Sequence, residues 1–371
     1  MKEYKIIDLF SGAGGMSTGF SMAGFNISAS IELMPVYAKT HSLNFPECKS
    51  LSGDITKISP EEFSEKTQIS CNTPTIIIGG PPCQTFSSIG RSKIESISSK
   101  DIKHDPRNYL FKNYFDYVSY FKPDVFVMEN VPNLKTKYNG EIFKKILSIC
   151  SELGYEISYD ILDASHYGVP QKRKRLFIVG SKLGKFVFPT AKFIENPRTV
   201  YDAIADLPII YDGIRADNLP YSINNNLTDF QVAIRNNTGV VGNNICRVSN
   251  ERAKKVFPHM KQGDKYMDLD PSIRNILPFN EGRFQDRLKR LDMSKPSWTV
   301  LAHIGMDGYR YIHPTENRTL SVREAARIQS FPDYFNFIGN MREQYIQVGN
   351  SVPPLLAKSI AEKVKELCKK K

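Results

Sequence analysis

Short apolar runs that end on a glycine or a polar residue, separated by stretches of helical periodicity, constrain this chain more than any other feature. The segments "YKIIDLF" (4–10), "ISASIE" (27–32), "TIIIGG" (75–80), "DVFVMEN" (124–130) and "RLFIVGSKL" (175–183) read as strands. A glycine loop and a helix follow the first, and the helical "VYAKTHSLNF" follows the second. Farther on, "EIFKKILSICSELG" (141–154) repeats Ile142, Phe143, Ile146, Cys150 and Leu153 at helical spacing. Apolar strands alternating with helices are what a parallel sheet covered on both faces requires. The rhythm therefore predicts an α/β fold with a doubly wound sheet, whose ligands sit beyond the carboxyl ends of the strands.

From about 186 to about 295 this rhythm is lost. Asn and Asp become frequent ("YSINNNLTDFQVAIRNNTGVVGNN") and helical repeats fade, which predicts a second, smaller domain of irregular, mostly β or loop structure. Regularity returns with "SVREAARIQSF" (321–331), a capped helix, and with a closing helix striped by Leu356, Ile360, Val364 and Leu367. A chain of 371 residues is long for one core. The expected partition is 1–185 plus 296–371 as one domain and 186–295 as the other.

Hydrophobic content of 41% and charged content of 24% are those of a soluble globular protein. No apolar run reaches the roughly 20 residues that a bilayer span needs, so no membrane partner is expected. The opening "MKEYKIIDLF" is too short and too acidic for a secretory leader, which makes the cytoplasm the expected compartment. A formal charge of +11 favours a polyanion as partner. The six cysteines show no C-x-x-C pair and the histidines no metal spacing, so neither a disulfide framework nor a metal site is expected.

"DLFSGAGGMSTGF" (8–20) is a strand, a glycine turn and a helix. Gly12, Gly14 and Gly15 make G-x-G-G rather than the dinucleotide pattern G-x-G-x-x-G. Glu32 ends the next strand, where a carboxylate can hold ribose hydroxyls, and Asp54 with Ile55 of "GDIT" suits an adenine amino group and ring face. A nucleoside site without a pyrophosphate cradle fits S-adenosylmethionine better than NAD. The other reading of the loop is a packing turn.

"GGPPCQTFSSIG" (79–90) raises a sharper question, because cysteines usually serve as small buried residues. Here two glycines permit a sharp exit from a strand and two prolines restrict the backbone ahead of Cys83. That corner suits a thiol presented for nucleophilic attack. Glu129 ends another strand at the same mouth, where a partly dry pocket can keep its carboxyl protonated. Alternation in "QKRKR" (171–175) would point Arg173 and Arg175 the same way, although a basic run is usually a solvated face.

Six segments in order carry a resemblance to the cytosine-5 DNA methyltransferases: "DLFSGAGG", "GGPPCQTFS", "ENV", "QKRKR", "RTLSVREAARIQSFPD" and "QVGNSVPP". The likeness spans 4–183 and about 296–360 and leaves the middle region unmatched. It implies a Rossmann-like sheet, S-adenosylmethionine as methyl donor with no metal, and duplex DNA as substrate. It assigns Phe10, Gly12, Gly14, Glu32, Leu33, Asp54, Ile55, Pro82, Leu110, Asn350 and Val352 to the donor pocket. Cys83 would be the nucleophile, Glu129 the group at cytosine N3 and the exocyclic amine, and Arg175 a ligand of the base oxygen, with Arg173 nearby supporting the loop or a phosphate. The loop from Gln84 to about Arg107, with Gln84, Ser87 and Arg91 toward DNA, would be a lid, and 186–295 the target-recognition domain. Groove-reading candidates there are Arg235, Asn236, Asn237 and Arg247.

One departure is "ELMP", with Leu33 where some members carry an aromatic residue and Met34 where an acid is common. Donor affinity is the property this puts in doubt. The resemblance further implies a monomer and admits a separately acting restriction endonuclease. The competing readings are an RNA (tRNA) cytosine-5 methyltransferase of the same architecture and a non-catalytic DNA-binding homologue.

Overall fold

A computed structural model describes residues 3–82, 109–222, 226–279 and 287–369. The chain divides into two compact units, 1–164 with 173–191 and 354–371, and 165–172 with 192–353.

The first unit is built on a seven-stranded sheet. Its strands are β1 (Lys5–Leu9), β2 (Ile27–Glu32), β3 (Lys49–Ser52), β4 (Thr75–Gly79), β5 (Val125–Asn130), β6 (Glu156–Asp163) and β7 (Lys174–Ser181), in spatial order β3-β2-β1-β4-β5-β7-β6. Strands β1 to β5 pair in parallel, whereas β7 runs antiparallel to both β5 and β6. The order steps outward from β1 to β3 on one side and from β4 to β5 on the other. The switch point, where an open α/β sheet leaves a crevice, thus lies beyond the ends of β1 and β4. Gly79 closes β4 there because a Cβ at this position would stand 2.2 Å from the Leu9 carbonyl oxygen.

Helices α1 (Gly15–Met22), α2 (Pro35–Asn44), α3 (Pro60–Thr67), α4 (Leu110–Phe121) and α5 (Glu141–Glu152) belong to the same unit. The apolar stripe expected on α5 is buried at Ile142, Phe143, Ile146 and Cys150, so Cys150 is a core residue. Helix α4 adds Phe111, Tyr114, Phe115, Val118 and Phe121, and edge-to-face rings join Phe115 and Phe126. The closing helix, Pro354–Lys369, buries Leu356, Ile360, Val364 and Leu367, the stripe read from sequence.

The second unit has a different interior. Loop predominates between 192 and 320, with short helices at Val200–Ile204, Asp229–Ile234, Glu251–Val256 and Pro271–Arg274 and a two-residue strand pair, Leu219–Pro220 with Val240–Val241. Every residue of the helix Val322–Ile328 is buried, and Ser321 caps it reciprocally with Glu324. Arg318 forks onto Glu324 at 2.8 and 2.7 Å. Arg323 donates to the carbonyls of Gly242, Pro332 and Phe335, and Arg327 bonds Asp206 and Asp333. Irregular backbone buries polar groups that no ladder satisfies, and these guanidinium forks supply the missing donors. Among the described residues no helix is long and apolar enough to cross a membrane, and no cluster of metal-ligating side chains occurs.

Candidate active site

The glycine turn after β1 is shaped for close approach. Phe10 leaves the strand at φ 58°, Gly12 follows at φ 56°, and Gly14 caps α1 at φ 104°. Only glycine fits position 14, since a Cβ there would lie 2.9 Å from Phe45 and 3.0 Å from His41. Gly12 faces open space, and its N–H donates to Glu32 Oε2 at 2.9 Å. The second Glu32 oxygen accepts from Met34 N–H at 2.9 Å. Burial raises the Glu32 carboxyl, and these backbone donors oppose the rise.

Strand β3 leads to Asp54, whose Oδ1 accepts from Thr56 N–H at 3.0 Å and Thr56 Oγ1 at 2.8 Å. Those bonds hold its carboxyl below the usual range. Ile55 is buried beside it. The Ser11 hydroxyl is buried and has no hydrogen-bond partner among the described residues, so this loop presents an unused polar atom. Open space at Gly12, the oriented Glu32 and Asp54 carboxylates and the unengaged Ser11 oxygen fit a ligand with an adenosyl group. Leu33 is 60% exposed at the edge of this loop, and Leu110 begins α4 half-buried. Asn350, exposed at the end of the helix Met341–Asn350, and buried Val352 belong to the second unit.

Beyond β4 the chain turns through Gly80, Pro81 and exposed Pro82. Asn130 Nδ2 donates to the Pro81 carbonyl at 3.1 Å. A Cβ on Gly80 would stand 3.0 Å from Glu129 Oε2, so the corner leading to Cys83 starts against that carboxylate. Cys83 itself, with Gln84, Ser87, Arg91 and the proposed lid, lies outside the described residues.

Glu129 and Arg175 meet because β5 and β7 are antiparallel. The register sets Glu129 opposite Phe177 and Asn130 opposite Leu176, which brings the start of β7 to the finish of β5. Arg175 Nε lies 2.8 Å from Glu129 Oε1, each side chain only 13% exposed. Burial raises the Glu129 carboxyl, while Arg175 and then Arg173 pull it down. Arg173 is almost fully buried and contributes a second positive charge to this acid.

Gln171, at the head of the basic run, has a different employment. It is buried in the second unit, donating to Gln329 Oε1 at 2.8 Å and accepting from Val300 N–H at 2.8 Å. Two of the groove-reading candidates are likewise occupied. Arg235 binds Asp206 at 2.7 Å and covers Tyr221, and Arg247 donates to the Ile304 carbonyl and covers Tyr345. Sequence reasoning missed Asp8, Ser17 and His41, which are buried behind the glycine turn. The available signal was an acid inside an apolar strand.

One α/β sheet thus carries a glycine turn with oriented carboxylates and, on other strands, a buried acid–guanidinium pair. Residues 4–366 match the family described as C-5 cytosine-specific DNA methylase. The chain is 36% identical to the type II methyltransferase M1.HphI of Haemophilus parahaemolyticus, over 96% of this chain and 86% of that protein. It is 36% identical to the type II methyltransferase M.DdeI of Desulfomicrobium norvegicum, over 97% and 88%. A solved structure described as a DNA modification methyltransferase encoded within an E. coli prophage superposes with a TM-score of 0.78 at 26% identity, covering 99% of each chain. The chain belongs to the C-5 cytosine-specific DNA methylase family and is a DNA cytosine-5 methyltransferase. Methyl transfer in this family implies S-adenosylmethionine as donor.

Proposed function

We propose that the chain methylates carbon 5 of a cytosine flipped out of a short, specific duplex DNA site, through a transient bond between the base and Cys83. The observation that carries this reading is the Glu129–Arg175 pair packed against the Gly80-Pro81 corner, three residues before the thiol. Cytosine carbon 5 is a poor nucleophile within an aromatic ring. Addition of the Cys83 sulfur at carbon 6 removes that aromaticity and places an electron pair at carbon 5. Glu129, protonated, donates to N3 as charge accumulates there, and Arg175 donates to the carbonyl oxygen. Burial favours the neutral acid that this role requires. The bound donor supplies an electrophilic methyl group. Loss of the carbon 5 proton to a base and departure of the Cys83 sulfur restore the aromatic ring.

For the donor, Glu32 would hold the ribose hydroxyls and Asp54 the adenine amino group. Phe10, Leu33, Ile55, Pro82 and Leu110 would flank its rings and chain. Gly12 and Gly14 would admit it, and the family resemblance assigns Asn350 and Val352 to the same ligand. Arg173 supports the acid rather than the base. Extrusion of the cytosine costs a few kcal/mol. Basic contacts offset it, with Gln84, Ser87 and Arg91 on the DNA side. Residues 1–185 and 296–371 would form the catalytic domain and 186–295 the target-recognition domain, acting as a monomer in the cytoplasm beside a separate restriction endonuclease.

The test is a mechanism-based trap. Duplex DNA carrying 5-fluorocytosine, incubated with S-adenosylmethionine, should become irreversibly attached through residue 83, because fluorine cannot leave as a proton does. Cys83→Ala should form no adduct and no product. Turnover on ordinary DNA without a trapped adduct would refute the covalent route. Methyl label entering tRNA but not DNA would refute the substrate.

A further inference from the structure

Behind the glycine turn runs a buried polar chain that the proposed chemistry does not use. The Ser17 hydroxyl on α1 donates to Asp8 Oδ2 on β1 at 2.6 Å. His41 on α2 reaches Ser17 Oγ through Nε2 at 3.0 Å and Ser50 Oγ on β3 through Nδ1 at 3.0 Å. Ser30 on β2 donates to Ser50 at 3.0 Å, and Cys48 lies behind it at 3.8 Å. Asp8, Ser17, Ser30 and His41 are all buried. The His41 ring also forms the floor of Gly14 and packs against Phe45, tilted by 38° at 4.7 Å between centroids. One imidazole thus touches the turn that carries Gly14 and bonds both β2, which ends in Glu32, and β3, which leads toward Asp54.

We infer that His41 is a positioning residue for the methyl donor: its ring face seats Gly14, and its tautomer follows the proton on Asp8 through Ser17. The inference rests on the reading of this loop as the donor site. With Asp8 ionised, Ser17 donates to it, His41 Nε2–H donates to Ser17, and Ser50 donates to Nδ1. With Asp8 protonated, each of these bonds reverses, Nδ1 carries the proton, and the imidazole stays neutral. In both arrangements Asp8, Ser17 and both ring nitrogens keep a partner, which is what makes the pair a switch rather than a defect.

The surrounding charges support this. Burial, opposed by Ser17 and assisted by Glu32, raises the Asp8 carboxyl to about 7. Burial alone pushes His41 down to about 3, so it does not become imidazolium at neutral pH. The other titratable neighbours, Cys48 and Tyr114, are raised and stay neutral.

Two measurements test the inference. Ring nitrogen-15 spectra of the free wild-type protein, with His41→Phe for assignment, should show the His41 proton moving from Nε2 to Nδ1 as pH falls through about 7, without an imidazolium signal. A fixed tautomer across that range, or an imidazolium, overturns it. Calorimetry with S-adenosylhomocysteine should show His41→Phe binding about tenfold more weakly. His41→Gln, which can still donate to Ser17, should recover to within about threefold, with DNA affinity unchanged in both. Equal binding by His41→Phe and wild type, or a parallel loss of DNA affinity, overturns the positioning role alone. Absence of wild-type binding overturns it together with the donor-site reading beneath it.

Discussion

The sheet unit and the helix Val322–Ile328 solve the same burial problem with different materials. In the first, Ile7, Ile77, Phe115, Phe126, Met128 and Ile178 form an apolar core around strands whose backbone groups are satisfied by their own ladders. In the second, the largest fully buried side chains include Arg318, Arg323 and Arg327, each tied to carboxylates or loop carbonyls. The difference shows that around this helix charged side chains take over the backbone pairing that a ladder provides in the sheet.

The comparison can be broken most forcefully at Arg327. Removing its guanidinium takes from Asp206 and Asp333, both fully buried, the cation they share, leaving Asp206 only Arg235 and Asp333 only Tyr221 and a more distant Arg323, so Arg327→Ala should destabilise by about 3 kcal/mol in urea titration. Arg327→Lys should rescue little, because a single ammonium cannot reproduce the fork. A loss below about 1 kcal/mol for Arg327→Ala would show that the network is decoration.

Acid titration should separate the units next. Burial alone would raise Glu324, but Arg318 and His313 outweigh it and hold it at about 2 against an ordinary 4.5. Its stabilisation is therefore complete above pH 4.5 and is lost as pH falls toward 2. Asp8 in the sheet unit has the opposite sign. Its carboxyl is raised from 3.8 to about 7, so its contribution is complete below 3.8 and declines as pH rises to about 7. Glu324→Gln should flatten the acid limb of midpoint against pH, and Asp8→Asn the decline toward neutrality.

Smaller effects sharpen the contrast. Ile77→Val in the middle of β4 should cost about 1 kcal/mol, the loss of one buried methylene in a core with partners on every side. The exposed Lys66–Glu62 pair on α3 should be worth at most about 0.5 kcal/mol, so Lys66→Ala should leave the denaturation midpoint nearly unchanged.

Much of the sheet unit was legible because burial on both faces writes itself as apolar runs. The strands ending at Leu9, Glu32, Gly79 and Asn130, and the stripes of α5 and the closing helix, all follow from periodicity. Strand β6 escaped because it is an edge strand whose residues are mostly solvent-facing, leaving no alternation to read. The helix Met341–Asn350 escaped because Gln344 and Gln347 occupy its buried face, with Gln347 donating to the Ile338 carbonyl at 2.8 Å. Polar residues on an inward face erase the stripe that marks a helix.

The site divides in the same way. Glu32 and Asp54 could be placed from strand ends alone, since parallel strands bring their carboxyl ends to one edge. Glu129 and Arg175 could be nominated, but only the antiparallel β7 explains why a residue at the start of one strand meets a residue at the finish of another. His41 could not be nominated at all, because its neighbours Ser17, Ser30 and Ser50 come from three other elements.

By itself, then, the order of residues determined the alternating strands and helices, the glycine turn and the acids at the strand ends. These depend on hydrophobic periodicity and local backbone freedom, which neighbouring residues encode. Tertiary structure alone decided which arginines became internal scaffolding, which one faced the acid, and which histidine came to lie beneath the turn. Those outcomes depend on burial and on partners far away in the chain, and no local pattern carries either.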